Sequence, residues 1–271
     1  MKILVSAEKD YFGPLAVMLY SLLHNNPQVD EIFMLTQGAM SDITRIEKVC
    51  ASFRVPLRVI NPALGGVGDA PGKIHGVRTE AMYYRLQADQ LLPKHVDRVI
   101  YLDADLIVRK NLQALWDELP ENCYLAAATF HSSMKDKAFV DKFGGRYFNS
   151  GVMVLNLALW RRDGISAACA RFMREHPERI RFHDQCVLNQ VCRPWHEIEI
   201  IWNFNRSVGP RHARKWGLTA EQFDAIARDP AIIHYIGGDK PWRRPRSEAL
   251  PLEREFFQYQ DMMEEAISEP A

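Results

Sequence analysis

The stretch Val99-Ile100-Tyr101-Leu102-Asp103-Ala104-Asp105-Leu106-Ile107-Val108 runs an apolar strand into two carboxylates. An unpaired charge beside a core is costly, so a cation or a polar ligand is expected at the end of this strand. In an extended chain the side chains at i and i+2 point the same way, which lets Asp103 and Asp105 share one hard divalent ion. Taken alone, Asp-x-Asp reads more readily as a helix cap or an Asx-turn, so its meaning depends on what other segments supply.

Upstream the pattern alternates. Ile3 to Ser6 reads as a strand, and Leu15, Met18, Leu19, Leu22 and Leu23 lie at helical spacing between Gly13-Pro14 and Asn25-Asn26-Pro27. Glu31 to Thr36 is a second strand. Ser41 is the expected cap of a helix carrying Ile43, Ile46, Val49, Cys50 and Phe53, and Leu57 to Ile60 is a third strand. This βαβαβ order with apolar strands predicts a parallel sheet covered on both faces, with a ligand crevice at the strands' carboxyl ends.

Asn61 to Gly76, rich in glycine and with two prolines, reads as a surface loop that closes over a site. Thr79 is the expected cap of a helix through about Gln90, and Ala158 to Glu175 reads as one helix. Shorter helices are expected at Leu112 to Trp116 and Asp184 to Val191. Further strands are expected at Tyr124 to Thr129, Gly151 to Leu155 and Ile232 to Tyr235. No linker is visible.

The chain has 271 residues, enough for a large core, with no repeat or low-complexity segment. Lys plus Arg and Asp plus Glu both number 34, which argues against a nucleic-acid partner recruited by net charge. The N-terminal apolar run is too short for a signal peptide, and no stretch approaches the roughly 20 apolar residues of a membrane span, so a cytoplasmic protein is expected. Five cysteines without a Cys-x-x-Cys pair point to core residues, not to a disulfide framework or a zinc knuckle.

Three later segments embed polar residues in apolar or tight-turn context: Tyr147 to Asn156, Phe182 to Asn189, and His234-Tyr235-Ile236-Gly237-Gly238-Asp239-Lys240-Pro241-Trp242. The last offers an imidazole, a flexible backbone able to approach a phosphate, and a cation for its oxygens. With Asp103 and Asp105, His234 completes a mixed oxygen and nitrogen donor set that suits Mn²⁺, with Mg²⁺ as the substitute.

These segments, in this order, resemble glycosyltransferase family eight, which includes bacterial lipopolysaccharide galactosyl- and glucosyltransferases and the glycogenins. The resemblance covers Met1 to about Trp242. It implies a GT-A fold of the α/β class, Rossmann-like, with a mixed, mostly parallel sheet, helices on both faces and a helical C-terminal elaboration. Residues 1–242 would form the transferase domain and 243–271 a tail packed on it or near a membrane surface. The implied reaction is Mn²⁺-dependent transfer of galactose or glucose from UDP-galactose or UDP-glucose to a saccharide or glycolipid acceptor such as lipopolysaccharide core, with retained configuration.

The resemblance places Asp103, Asp105 and His234 on the metal, and Gly237 and Lys240 on the diphosphate. Ser6, Ala7, Glu8, Asp10 and Tyr11 would hold uridine, Ala104 would line the donor site, and Arg85, Asn149, Asp184 and Gln185 would surround the sugar. Asp184, Gln185 and Lys240 are the expected catalytic groups. The chain departs from the family pattern at Glu8, where Asp is usual, at Asp10, where Asn is frequent, and at Cys186, which replaces a second acid. With Gln185 a poor nucleophile, same-face attack by the acceptor is expected, and Asp184 is the alternative nucleophile.

Two rival classes remain open in the sequence. A phosphohydrolase of the haloacid dehalogenase type also begins from a strand ending in Asp-x-Asp, although its motif belongs on the first strand. A catalytically silent sugar-nucleotide binder is the other. The arginines at 243, 244 and 246 and Phe256, Phe257 and Tyr259 suit either a packed terminal helix or a peripheral contact with the inner face of a membrane.

Overall fold

A computed structural model describes residues 1–62, 80–129, 137–205, 213–214 and 217–268. Most of the loop expected at 61–76, and the Thr79 cap, lie outside the described residues.

The strands are β1 (Lys2–Ser6), β2 (Glu31–Leu35), β3 (Leu57–Ile60), β4 (Arg98–Leu102), β5 (Leu106–Val108), β6 (Leu125–Thr129), β7 (Phe148–Asn156), β8 (His196–Ile198), β9 (Phe204–Asn205) and β10 (Ile232–His234). Seven of them form one sheet in the order β3-β2-β1-β4-β7-β6-β8. Every neighbouring pair is parallel except those made by β7, which runs against β4 and β6. A second sheet, β5-β10-β9, stands at the carboxyl end of β4. The helices are α1 (Phe12–Asn25), α2 (Thr44–Ser52), α3 (Ala81–Tyr84), α4 (Ala88–Leu91), α5 (Gln113–Asp117), α6 (Lys137–Asp141), α7 (Leu157–Asp163), α8 (Ile165–Glu175), α9 (His183–Val191), α10 (Ala220–Arg228) and α11 (Pro251–Ser268).

The alternation expected for the first half is present; β1 and β2 are buried on both faces, whereas the edge strand β3 is only half-buried. One face packs α1, α2 and α11 over Ile3, Val5, Ile32 and Met34. The other packs α3, α4, α8 and α9 over Leu4, Phe33, Tyr101 and Met153. Asn25 ties α1 to β5 and α11 by donating to the carbonyl of Val108 (3.0 Å) and the hydroxyl of Tyr259 (2.8 Å). Phe256 and Met263 of α11 are buried in the same cluster as β1.

Several local expectations differ from the structure. The stretch read as one helix over 158–175 is two, because Gly164 adopts φ 65° and closes α7 with a left-handed residue. Ser41 lies in a 3₁₀ turn (Met40–Asp42), and Ile43, buried in the core, occupies the cap position of α2 without a side-chain cap bond. The helix expected to Gln90 is interrupted by a 3₁₀ turn (Arg85–Gln87), which aims Arg85 inward. Strand β7 begins at Phe148, three residues before the expected start, so Asn149 and Ser150 are strand residues; they sit where the pairing with β6 shifts register and just past the last pair with β4, Leu102 with Val152.

Candidate active site

Strands β1 and β4 are adjacent and parallel, so Ser6 and Asp103 emerge together at the sheet's carboxyl edge. The Tyr101 hydroxyl lies 2.9 Å from the Ser6 hydroxyl and donates to Asp103 Oδ1 at 2.9 Å. Because β7 is antiparallel to β4, the backbone N–H of Asp103 bonds to the carbonyl of Gly151 (2.9 Å), which sets Asn149 and Ser150 beside the acid pair.

Asp103 and Asp105 converge by a different route from the one the i, i+2 pattern suggests. Ala104 and Asp105 form a turn between β4 and β5, and the pairing of β5 with β10 supplies the third group. His234 sits opposite Leu106, and the N–H of Tyr235 bonds to the carbonyl of Asp105 at 3.0 Å. His234 Nε2 is consequently 3.2 Å from Asp105 Oδ1 and 3.7 Å from Asp103 Oδ2. One ligand atom from each of the three residues lies within 4.8 Å of the others. Two carboxylates and an imidazole nitrogen at that spacing fit a divalent ion.

Gly151 makes this approach possible. A β-carbon there would collide with His234 Cε1 and lie 2.7 Å from Asp103 Oδ2. Lys240 donates to the carbonyl of Tyr235 (2.6 Å) and pairs with the carboxylate of Asp105. Burial opposes ionisation of Asp105, but His234 and Lys240 together hold its carboxyl well below the usual carboxylate range. In this arrangement Lys240 balances the acid pair.

The residues expected around the sugar form a contiguous second group. Arg85, almost fully buried, reaches Asp103 Oδ1 at 2.9 Å and the carbonyl of Ser150 at 3.0 Å. Its Nε is 3.5 Å from Asp184 Oδ2, and its guanidinium lies 4.0 Å from the centroid of the Tyr101 ring. Asp184, in the first turn of α9, accepts from the Ser150 hydroxyl at 2.9 Å. Burial pushes its carboxyl up to about 6, against the pull of Arg85. Asn149 donates to Gln185 Oε1 at 3.0 Å.

The segment expected to hold uridine is partly committed elsewhere. Glu8 accepts from the backbone N–H of Ala81 at the start of α3 (3.3 Å). Ala7 extends the β1–β2 pairing through the carbonyl of Leu35, and Tyr11 packs edge-on against Trp242. Asp10 is exposed, Ala104 is buried in the core, and Gly237 takes φ 95°, a conformation only glycine adopts easily. Cys186 lies in an aromatic cluster with Phe139, Phe143 and Tyr147, its sulfur 3.2 Å from the Tyr147 hydroxyl.

The sequence reading missed Asn203, which lies in a 3₁₀ turn (Ile200–Asn203) leading into β9 and bonds to both His234 and Asn149. The available signal was a lone amide in Ile200-Ile201-Trp202-Asn203-Phe204, an apolar run with little use for one. The role of Tyr101 as a bridge between Ser6 and Asp103 was also missed, since its hydroxyl is invisible in a pattern that reads only as strand.

An α/β sheet here gathers an aspartate pair and a histidine at its carboxyl edge, an arrangement able to hold a divalent ion. A family model described as glycosyl transferase family 8 matches residues 2–245, and the chain belongs to that family. It is 30% identical to general stress protein A of Bacillus subtilis over 96% of this chain and 92% of that protein. It is 22% identical to a lipopolysaccharide 1,2-glucosyltransferase of Escherichia coli K12, over 90% of this chain and 73% of that one. Among solved structures, the galactosyltransferase LgtC in complex with donor and acceptor sugar analogues superimposes with a TM-score of 0.78 at 24% identity, covering 97% of this chain and 96% of that one. Membership of this family removes the phosphohydrolase reading, and the Asp-x-Asp follows the fourth strand, not the first. Among the described residues, no helix is long and apolar enough to cross a membrane.

Proposed function

We propose that this chain transfers galactose or glucose from a UDP-sugar to a saccharide or glycolipid acceptor with retention of configuration, using Mn²⁺, or Mg²⁺ in its place. The observation that carries the reading is the convergence of Asp103, Asp105 and His234 beside the buried group of Arg85, Asn149, Asp184 and Gln185. Lipopolysaccharide core is the acceptor class favoured by the named functions of relatives such as the Escherichia coli glucosyltransferase.

Expelling a diphosphate is the difficult part of such a transfer, and the ion held by Asp103, Asp105 and His234 would supply positive charge to the leaving group. Lys240, which pairs with Asp105 here, would add its ammonium to those oxygens, and the Gly237 backbone would approach them. Arg85 and Asp184 would orient the sugar hydroxyls, and Gln185 would hold an amide near the reacting face. Gln185 is a poor nucleophile and Cys186 is turned into an aromatic cluster, which supports same-face attack by the acceptor, with Asp184 the alternative nucleophile. Residues 1–242 are taken as the transferase domain and 243–271 as its tail. Arg244 pairs with Asp239 and Glu253, and Arg246 with Asp261, which favours a packed tail over membrane contact.

The decisive experiment incubates purified protein with UDP-galactose, UDP-glucose and related donors in Mn²⁺, with UDP release read by HPLC. Donor-dependent release that disappears in His234→Ala, with native circular dichroism, supports the reading. Full turnover by that variant at ordinary Mn²⁺ would overturn the site, and UDP binding without release from any donor would make the protein a binder.

A further inference from the structure

The orientation of one metal-ligating ring is decided by amides that do not touch the metal position. Asn149 Oδ1 accepts from the backbone N–H of Gly151 at 2.9 Å. Gln185 Oε1, 3.3 Å from the backbone N–H of Ser150, accepts from Asn149 Nδ2 at 3.0 Å. Backbone N–H groups only donate, so these two contacts settle which end of Asn149 is oxygen. Asn203 Nδ2 donates to that oxygen at 2.8 Å, which turns Asn203 Oδ1 toward His234 Nδ1, also at 2.8 Å. Asn149, Asn203 and His234 are all buried, so no solvent competes for these bonds.

We infer that Asn203 is a positioning residue that holds the proton on His234 Nδ1 and so commits Nε2 to the divalent ion. A carbonyl oxygen opposite Nδ1 can only be satisfied by an N–H there, whether Nε2 carries a proton toward Asp105 or faces an ion. Without this acceptor the neutral ring is free to place its proton on Nε2, 3.2 Å from Asp105 Oδ1, where it would obstruct coordination. The amide chain also joins the metal side of the site to Gln185 on the sugar side, so the two are held in one register. The inference rests on the reading of Asp103, Asp105 and His234 as ion ligands, but its central observable does not require the ion.

The test is ¹⁵N NMR of the histidine rings in metal-free protein, with the His234 signals assigned by their absence in His234→Ala. Wild type is expected to show a protonated, pyrrole-type Nδ1, with and without Mg²⁺. Asn203→Leu is expected to give Nδ1 pyridine-type character and to weaken Mn²⁺ binding, titrated by calorimetry, by about tenfold to a hundredfold. Asn203→Asp, which retains an acceptor, is expected to restore the protonated Nδ1 and most of the affinity. A pyridine-type Nδ1 in wild type overturns the inference, as does an Asn203→Leu variant with unchanged ring signals and affinity. Equal Mn²⁺ binding by His234→Ala and wild type would instead refute the ligand assignment and leave the ring result standing on its own.

Discussion

Replacing Asp184 by asparagine separates what this buried acid does for the site from what it does to the fold. Burial, opposed by Arg85, raises its carboxyl from 3.8 to about 6. A group whose folded-state pKa lies above its unfolded value contributes its full stability below the unfolded value and loses it as pH rises through the folded one. For Asp184 the loss runs from just below pH 4 to about pH 6, so above that window the ionised carboxylate burdens the folded state. A shift of roughly two units at about 1.4 kcal/mol each gives a burden on the order of 3 kcal/mol. Asp184→Asn keeps the shape and an acceptor for the Ser150 hydroxyl while removing the charge. It is expected to stabilise the metal-free protein by up to about 3 kcal/mol at about pH 8 and by about 1 kcal/mol at about pH 4.5. Urea denaturation at the two pH values, with linear extrapolation, measures both numbers. Under the proposed function the same variant loses sugar transfer. A variant less stable than its parent at about pH 8, or one with the same gain at both pH values, would refute the reasoning.

Further substitutions probe the same architecture. Gly151→Ala drives a methyl into His234 and Asp103, and is expected to lower stability by about 1–3 kcal/mol and Mn²⁺ affinity at least about tenfold, read by thermal melting and calorimetry. Tyr101→Phe removes the hydroxyl shared by Ser6 and Asp103 and is expected to lower stability by about 1–3 kcal/mol in urea, with no change expected at Tyr259→Phe beyond its single bond to Asn25. Asp105→Ala leaves the buried Lys240 ammonium without its carboxylate, and is expected to lower stability by about 3–5 kcal/mol; adding Lys240→Met is expected to recover most of it. This makes His234→Ala the cleaner test of the metal site, whereas sequence alone suggests that either residue can be removed without harm to the fold.

Much of this protein is written locally. Ile3 to Ser6, Glu31 to Leu35 and Arg98 to Leu102 are apolar runs whose only economical fate is a doubly covered parallel sheet, and the break after Leu102 marks where its crevice must lie. Asp103, Asp105, His234 and Lys240 are conspicuous in sequence because each interrupts apolar or glycine-rich context. What the order of residues leaves open is register and direction. The reversed strand β7 puts Ser150 and Gly151 against Asp103, the β5–β10 pairing sets His234 over Asp105, and the turn before β9 delivers Asn203 to His234. These contacts join residues 31 to 129 positions apart, and their geometry depends on which strands pair and in which sense. Local propensity and spacing carry no information about that choice, because it is made by the packing of the whole sheet. Composition and pattern alone therefore determined β1 to β4 and the chemistry available at their ends, but not the short strands β5, β8 and β9. The tertiary structure decided which groups meet, which nitrogen of His234 faces the acids, and that Lys240 neutralises Asp105.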